Sequence, residues 1–291
     1  MIKRIKRTAL DHEKYTACLQ RAVNYRVYAE YWYLDSLCGD AWDCYVLNDY
    51  EAIMPIPYVK KFGIKFIAQP VYCQQLGVFH SQQFSKELFE LFEKKLHRNL
   101  VKSYRFCEEN TSMFQPKGEL KTNFILDLNR SYNSILEEYT PNRRKELRRT
   151  SRMDLIITET NDLSNFIQLK EKYDYISKNN LEDKFASIFG KLVQHQAISI
   201  FDIYTKDNKL IGSQLILNSK TRKICLSFAR NKTLEKHNAS AYILDYIIQQ
   251  NAEQDVILDF EGSMLPEVAK FMKGFSPTDQ KYTWFQNIPK I

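Results

Sequence analysis

A short apolar run late in the chain, Val256-Ile-Leu-Asp-Phe-Glu261, carries two carboxylates and is followed by Gly262-Ser263. If the run is a buried strand, alternation puts Asp259 and Glu261 on the same face. A carboxylate there can serve as general base toward an attacking amine, provided burial or mutual repulsion lifts one of the pair out of its ordinary range. The structural alternative is that the two hold turn amides or a basic side chain such as Arg143 or Arg230. Upstream, Lys236-His-Asn-Ala-Ser-Ala241 opens an apolar helix. Small residues at a helix start leave backbone N–H groups open to a phosphate, so Lys236, Asn238, Ala239, Ser240 and Ala241 are candidates for an anion cradle. The same residues also read as an ordinary N-cap supplied by Asn238 or Ser240. The strand before this loop offers the backbone amides around Ser227, Phe228 and Ala229 as stabilisers of a developing oxyanion.

The densest basic segment is Thr140-Pro-Asn-Arg-Arg-Lys-Glu-Leu-Arg-Arg-Thr-Ser-Arg152. Thr140 is placed to cap a helix whose first residue is Pro141. Arg144, Arg148 and Arg152 then share a face, with Lys145 and Arg149 beside them and Leu147 as the only sizeable apolar residue. Such a helix is not an ordinary core helix. It is a solvated connector between domains or a phosphate-binding surface, because guanidiniums this close repel one another unless anions visit. In the N-terminal half, Gln69, Gln74 and Gln75 lie around Pro70 and Tyr72. Their amides can bind a polar ligand or satisfy the loop's own backbone.

Groups like these need a sheet with helices on it. Helical periodicity covers 9–23, 27–38 and 84–97 in the first half, with strand-like runs at 44–48, 52–58, 65–68, 103–107 and 123–128. After the polar stretch 129–152 the second half predicts a strand at 155–158, helices at 163–177 and 182–196, and an antiparallel meander over 198–205, 209–217 and 223–229. A helix at 239–250, a strand at 256–260, a short helix at 266–273 and a last strand at 281–285 complete it. The expected class is α/β (α+β), with two mixed, mostly antiparallel sheets flanked by helices. The expected domains are 1–128 and 129–291, related by a duplication that no residue-level repeat displays.

The length of 291 residues exceeds the usual span of one hydrophobic core and fits two domains. An apolar fraction of 44% beside 26% charged residues excludes general disorder. No apolar run approaches the roughly 18 residues that cross a bilayer, and the basic start lacks the apolar stretch of an export signal, so the expectation is a cytoplasmic protein. The six cysteines form no C-x-x-C pair and have no histidines at metal spacing, so no metal is expected. The net charge of +7 favours anionic partners, the candidates being the phosphates of CoA, tRNA or lipid.

Three segments together resemble the tandem-domain acyltransferases of the GNAT superfamily and their Fem-like and BioF2-like relatives, a group common in bacteria. The basic helix 142–152 before a strand is similar to the group's interdomain segment. Asp259-Phe-Glu-Gly-Ser263 followed by Val268-Ala-Lys-Phe-Met-Lys-Gly-Phe275 is similar to its closing signature, a strand ending Asp-Phe-x-Gly and then a Phe-Lys-x-x-Phe-Gly helix. Tyr31-Trp-Tyr-Leu-Asp35 with Trp42, and Gln69-Pro70 with Gln74-Gln-Leu-Gly77, look like that group's first domain. Met272 and Ser276 depart from the closing signature, and Lys236-His-Asn-Ala-Ser-Ala241 lacks the first glycine of the pyrophosphate loop Gln/Arg-x-x-Gly-x-Gly/Ala. The resemblance implies two GNAT-like domains around a cleft near Gln74, Phe228 and Asp259. It further implies N-acyl transfer from acyl-CoA to a small-molecule or peptide amine, with Asp259 or Glu261 as base. The alternatives are aminoacyl-tRNA-dependent transfer to a cell-wall precursor, which in the better-known Fem proteins often goes with a coiled-coil insertion absent here, and a non-catalytic module that binds RNA or other anions.

Overall fold

The apolar runs of the N-terminal half fold as a meander. In the computed structural model, which describes residues 1–173, 181–262 and 265–288, β1 (Ile2–Lys6), β2 (Trp42–Leu47), β3 (Ala52–Lys61) and β4 (Ile64–Ala68) pair antiparallel in that order. β4 pairs parallel with β6 (Val101–Phe106), and β6 antiparallel with the last strand, β13 (Thr278–Phe285). The short β5 (Phe79–His80) lies on β3. With α1 (His12–Arg21), α2 (Tyr31–Cys38), α3 (Lys86–His97) and α4 (Glu108–Phe114), these strands make one unit, residues 1–122 and 280–291.

The second unit, residues 123–279, has the same order of pairings. β8 (Ile156–Thr160), β9 (Ile198–Tyr204), β10 (Leu210–Asn218) and β11 (Arg222–Arg230) form an antiparallel meander. β11 pairs parallel with β12 (Ile257–Asp259), and β12 antiparallel with β7 (Glu119–Asp127). Its helices are α5 (Tyr132–Glu138), α6 (Pro141–Thr150), α7 (Ser164–Tyr173), α8 (Leu181–Gln194), α9 (Ala239–Asn251) and α10 (Pro266–Lys273). Each unit is therefore four antiparallel strands, one parallel neighbour and one closing antiparallel strand. The α/β class with mostly antiparallel sheets flanked by helices, expected from the sequence, is the one observed.

The closing strand of the first unit comes from the end of the chain. Trp284 Nε1 donates to Ser103 Oγ (3.0 Å) and the Thr283 N–H to Thr111 Oγ1 (2.8 Å). Gln280–Ile291 thus group with the first unit rather than with the half that precedes them in sequence. The helix expected over 27–38 is interrupted: a 3-10 turn at Val27–Ala29 is followed by α2, with Glu30 between them held by Gln20 Nε2 and Tyr25 Oη. β1, α4 and α5 had no clear periodic signal. The expected helix at 163–177 ends in the description at Tyr173, and residues 174–177 lie outside the described residues. Among the described residues no helix is long and apolar enough to cross a membrane.

The basic segment is the helix the sequence predicts: Pro141 is its first residue and Thr140 Oγ1 accepts from the Arg143 N–H. Its inner face is Arg143, Leu147 and Thr150, while Lys145, Arg148, Arg149 and Arg152 are exposed. Arg143 is buried against α10. Its guanidinium donates to the Phe271 carbonyl (2.8 Å), pairs with Glu146, and lies 4.5 Å from the centroids of both Phe271 and Phe275. Gly274 makes this approach possible, since a Cβ there would stand 2.8 Å from Arg143 Nε.

The apolar side of α9 packs Ile243, Leu244, Ile247 and Ile248 into the same core as Leu126, Leu258 and Phe260. One polar residue interrupts it. Asp245 accepts from Tyr132 Oη (2.9 Å), and burial pushes its carboxyl up from the ordinary range against the opposing pull of that hydrogen bond. The folded state thus holds the Asp245 proton more tightly than the unfolded chain, so stability falls as pH rises through the window just above the ordinary aspartate value. Asp245→Asn keeps an acceptor for Tyr132 without the charge. It is expected to raise stability at neutral pH and to change it little in strong acid, which urea titrations across pH measure.

Candidate active site

β11 and β12 run side by side for only three residues. Arg222, Lys223 and Ile224 pair with Ile257, Leu258 and Asp259, after which β12 ends and β11 continues to Arg230. On its other side β12 keeps its neighbour, since the Phe260 N–H still donates to the Phe124 carbonyl (2.9 Å). The two strands therefore part beyond Asp259. N–H groups alternate sides along a strand, so every second one between Cys225 and Arg230 points to the side that β12 has left. A bulge lies at the same place: Leu215 pairs with Ser227 and Ile216 with Cys225, leaving Leu226 as the extra residue. Gln214 clamps it, its Nε2 donating to the carbonyls of Leu215 (2.9 Å) and Ser227 (3.0 Å). Bulges bend a strand and re-aim its groups.

The gap is a cavity of about 490 Å³. Cys225 and Phe228 of β11, Gln214, Phe260, Ser240 and Leu244 of α9, and Glu267, Val268, Phe271 and Met272 of α10 form its wall. Gly212 gives the Phe228 ring its place, a Cβ there falling 2.7 Å from the ring edge. A smaller pocket of about 170 Å³ adjoins and shares Phe228, Arg230, Ser240 and Phe271. It is formed by the start of α9, Asn238 to Ala241, together with Asn231 and Glu146. Asn238 is in the left-handed region (φ 48°) and gives no side-chain cap, so the first N–H groups of α9 are not closed off by its amide. The dipole of a helix start suits an anion; of the first N–H groups here, that of Ala241 already donates to the Asn238 carbonyl (3.1 Å). The backbone of Lys236 belongs to the 3-10 turn before α9, and its side chain lies outside the described residues.

Asp259 is 1% exposed and fully engaged. Its Oδ2 takes Arg222 Nη1 (2.8 Å), and its Oδ1 takes Asn123 Nδ2 (2.9 Å) and the Glu261 N–H (2.9 Å). This is the structural alternative of the sequence reading, with Arg222 as partner in place of Arg143 or Arg230. The bond to Glu261 shapes the turn, where Glu261 and Gly262 both have positive φ (57° and 43°). Of this stretch only Phe260 faces the cavity; Ser263 lies outside the described residues. The carboxylate that does line the cavity is the exposed Glu267, in the first turn of α10. Sequence reasoning passed over it because a first-turn glutamate is ordinary helix chemistry. The thiol in the wall, Cys225, is pushed well up by burial and next by the negative charges of Asp259 and Glu261, which keeps it protonated and poorly nucleophilic.

The structure brings Phe228, Asn238, Ala239, Ser240 and Ala241 together in the second unit, and the glutamines belong to the first unit. Gln69 Nε2 donates to the Cys73 carbonyl (2.7 Å) and its Oε1 accepts from the Arg105 N–H (2.7 Å). Gln75 bonds Gln74 and both the side chain and N–H of Glu108. These bonds hold the chain at 69–76 beside β6. There Leu76 bridges Phe106. Of the arginine stripe, Arg148 and Arg152 are exposed, whereas Arg144 is half-buried and donates to the Glu137 carbonyl (3.0 Å). Among the described residues no cluster of three or more His, Cys, Asp or Glu could hold a metal.

No family model and no curated protein matches the sequence. Solved structures do match in fold. FemX superposes with a TM-score of 0.69 at 9% identity over 96% of each chain. L-PGS from Bacillus licheniformis gives 0.56 at 14% identity over 97% of this chain and 93% of its own. A tandem GNAT protein from the clavulanic acid biosynthesis pathway gives 0.56 at 9% identity over the whole of both. The chain has the fold of these structures, the tandem GNAT protein among them.

Arg222 and Asp259 are 9% and 2% exposed, so losing one charge strands the other in the interior. Asp259→Asn is expected to destabilise by about 3 kcal/mol or more. Pairing it with Arg222→Met recovers part of the loss, a coupling that urea denaturation of the three variants measures.

Proposed function

We propose that this chain is an acyltransferase that moves an acyl group from acyl-CoA to an amine acceptor in the gap beside β11. The observation that carries the reading is the parting of β11 from β12, which opens a cavity leading to the start of α9. A donor with an anionic head and a thin thioester arm fits that arrangement. Its phosphates meet the first N–H groups of α9 with Arg230 at the rim, and its arm lies along the free edge of β11 in the place of a strand. Glu146 also faces the smaller pocket, but its charge is matched by Arg143.

The thioester oxygen accepts from an N–H of Cys225–Arg230 on the side β12 has left, so charge gathering there meets donors that need no rearrangement. The amine attacks directly: its nitrogen bonds to the acyl carbon, the carbon–sulfur bond breaks, and CoA leaves as the thiol. Glu267 takes the proton lost by nitrogen and returns it to the leaving sulfur, directly or through water. A covalent relay through Cys225 is disfavoured by the protonated state of that thiol. The fold of GNAT and Fem-like acyltransferases supports the reaction class. The exposed Arg148, Arg149 and Arg152 favour a second reading, in which the activated donor is an aminoacyl-tRNA whose backbone they contact.

Thermal denaturation with CoA, acetyl-CoA and uncharged tRNA separates the two readings. CoA at a hundred times its Kd is expected to stabilise the fold by about 2.7 kcal/mol. Stabilisation by tRNA alone selects the second donor, and silence from all three sinks the proposal. Ser240→Asp adds a carboxylate to the first turn of α9, which suits the helix but repels phosphate. It is expected to keep or raise the melting temperature while weakening CoA binding about tenfold or more. Glu267→Gln should lower kcat about a hundredfold with CoA affinity unchanged. Equal turnover by this variant would remove Glu267 from the reaction.

A further inference from the structure

The β3–β4 hairpin of the first unit projects beyond its sheet. β2 pairs with β3 only as far as Pro57, and β4 meets β6 only from Ile67, so Val59 to Phe66 pair with one another alone. In this ribbon Val59 opposes Phe66 and Lys61 opposes Ile64 on one face, while Lys60 opposes Lys65 on the other. On the second face Lys65 leans back to Asp43 (3.1 Å) and over the Tyr58 ring (3.8 Å to its centroid), leaving Lys60 outward. The first face has no cover: Val59 is 47% and Ile64 51% exposed. At the apex stands Phe62, 91% exposed, with the Lys61 ammonium 5.6 Å from its ring centroid.

Phe62 is not there for the turn. The apex is Phe62-Gly63, both with positive φ (51° and 77°), a geometry that favours asparagine or glycine and disfavours an aromatic residue. A side chain that strains the backbone and buries nothing within the protein has its use outside it. The charge within the hairpin itself is one-sided: its charged residues are Lys60, Lys61 and Lys65, of which Lys65 alone is matched, by Asp43 of β2. We infer that this hairpin docks the first unit on an anionic lipid surface, inserting Phe62 with Val59 and Ile64 at the headgroup boundary while Lys60 and Lys61 meet the phosphates. An apolar tip ringed by lysine is the composition that binds in the interface plane without crossing the bilayer. The inference stands apart from the proposed catalysis, because it rests on a different unit and on no residue of the cavity.

The test is co-sedimentation of the full chain with vesicles of phosphatidylcholine alone or mixed with phosphatidylglycerol, at low and high salt. The expected result is binding to the mixed vesicles only, weakened by salt. Phe62→Asn relieves the turn, so it is expected to melt at the same or a higher temperature while losing at least about tenfold in vesicle binding. Lys60→Glu with Lys61→Glu is expected to lose as much. Absence of wild-type binding, or binding indifferent to Phe62→Asn, overturns the inference. So does a dimer in solution that Phe62→Asn dissociates without any vesicle binding, since a second copy would then cover the face.

Discussion

Asp259, buried and paired with Arg222, stands at the last point where β11 and β12 touch, and the site depends on it. Asp259 is the residue at which β12 stops, and its three hydrogen bonds reach β11 through Arg222, β7 through Asn123, and the turn beyond through the Glu261 N–H. One carboxylate thereby ties three pieces of backbone at the place where two strands must separate. Such a pair gains little over a well-packed apolar substitute, but it tolerates no other geometry, and it is position rather than stability that the gap requires. With the fork fixed, the bulge at Leu226 and the clamp from Gln214 decide how the free edge of β11 is presented.

The second constraint is at the far side of the cavity, where α10 must stay in place as a wall. It has no buried residues of its own. Arg143 holds it, donating to the Phe271 carbonyl and lying against two of its aromatic neighbours, in a space kept open by Gly274. Burial lowers the proton affinity of this guanidinium, against the opposing charge of Glu146. The basic helix therefore has two uses: the arginine turned inward builds the site wall, and those turned outward present charge to solvent.

Much of this was legible in the sequence. The meander expected over 198–229, the apolar helix from Ala239, the capped helix from Pro141 and the strand expected at 256–260 all follow from periodicity and capping residues. The role of Asp259 did not follow, because its chemistry depends on Arg222 and Asn123, which are distant in sequence. Glu267 was hidden by its ordinariness at a helix start. Gln69, Gln74 and Gln75 looked like a binding cluster since side-chain amides that bind ligands and those that satisfy loops have the same composition; only the bonds to Cys73, Arg105 and Glu108 distinguish them.

The two units share an order of strand pairing and differ in which strand of the parallel pair runs on past the other. In the second unit β12 stops and β11 runs on alone; in the first β4 stops, and the chain at 69–76 returns to occupy the edge of β6, with the Leu76 N–H on the Arg105 carbonyl and the Cys107 N–H on the Leu76 carbonyl. A free strand edge in a cavity is a row of unmet donors and acceptors. On β6 the first unit meets them with its own backbone, at Arg105 and Cys107. Neither half of the sequence completes its own sheet, because β7 begins before the second unit and β13 ends after it. In sequence, β13 completes the first unit only after the chain has passed through the second.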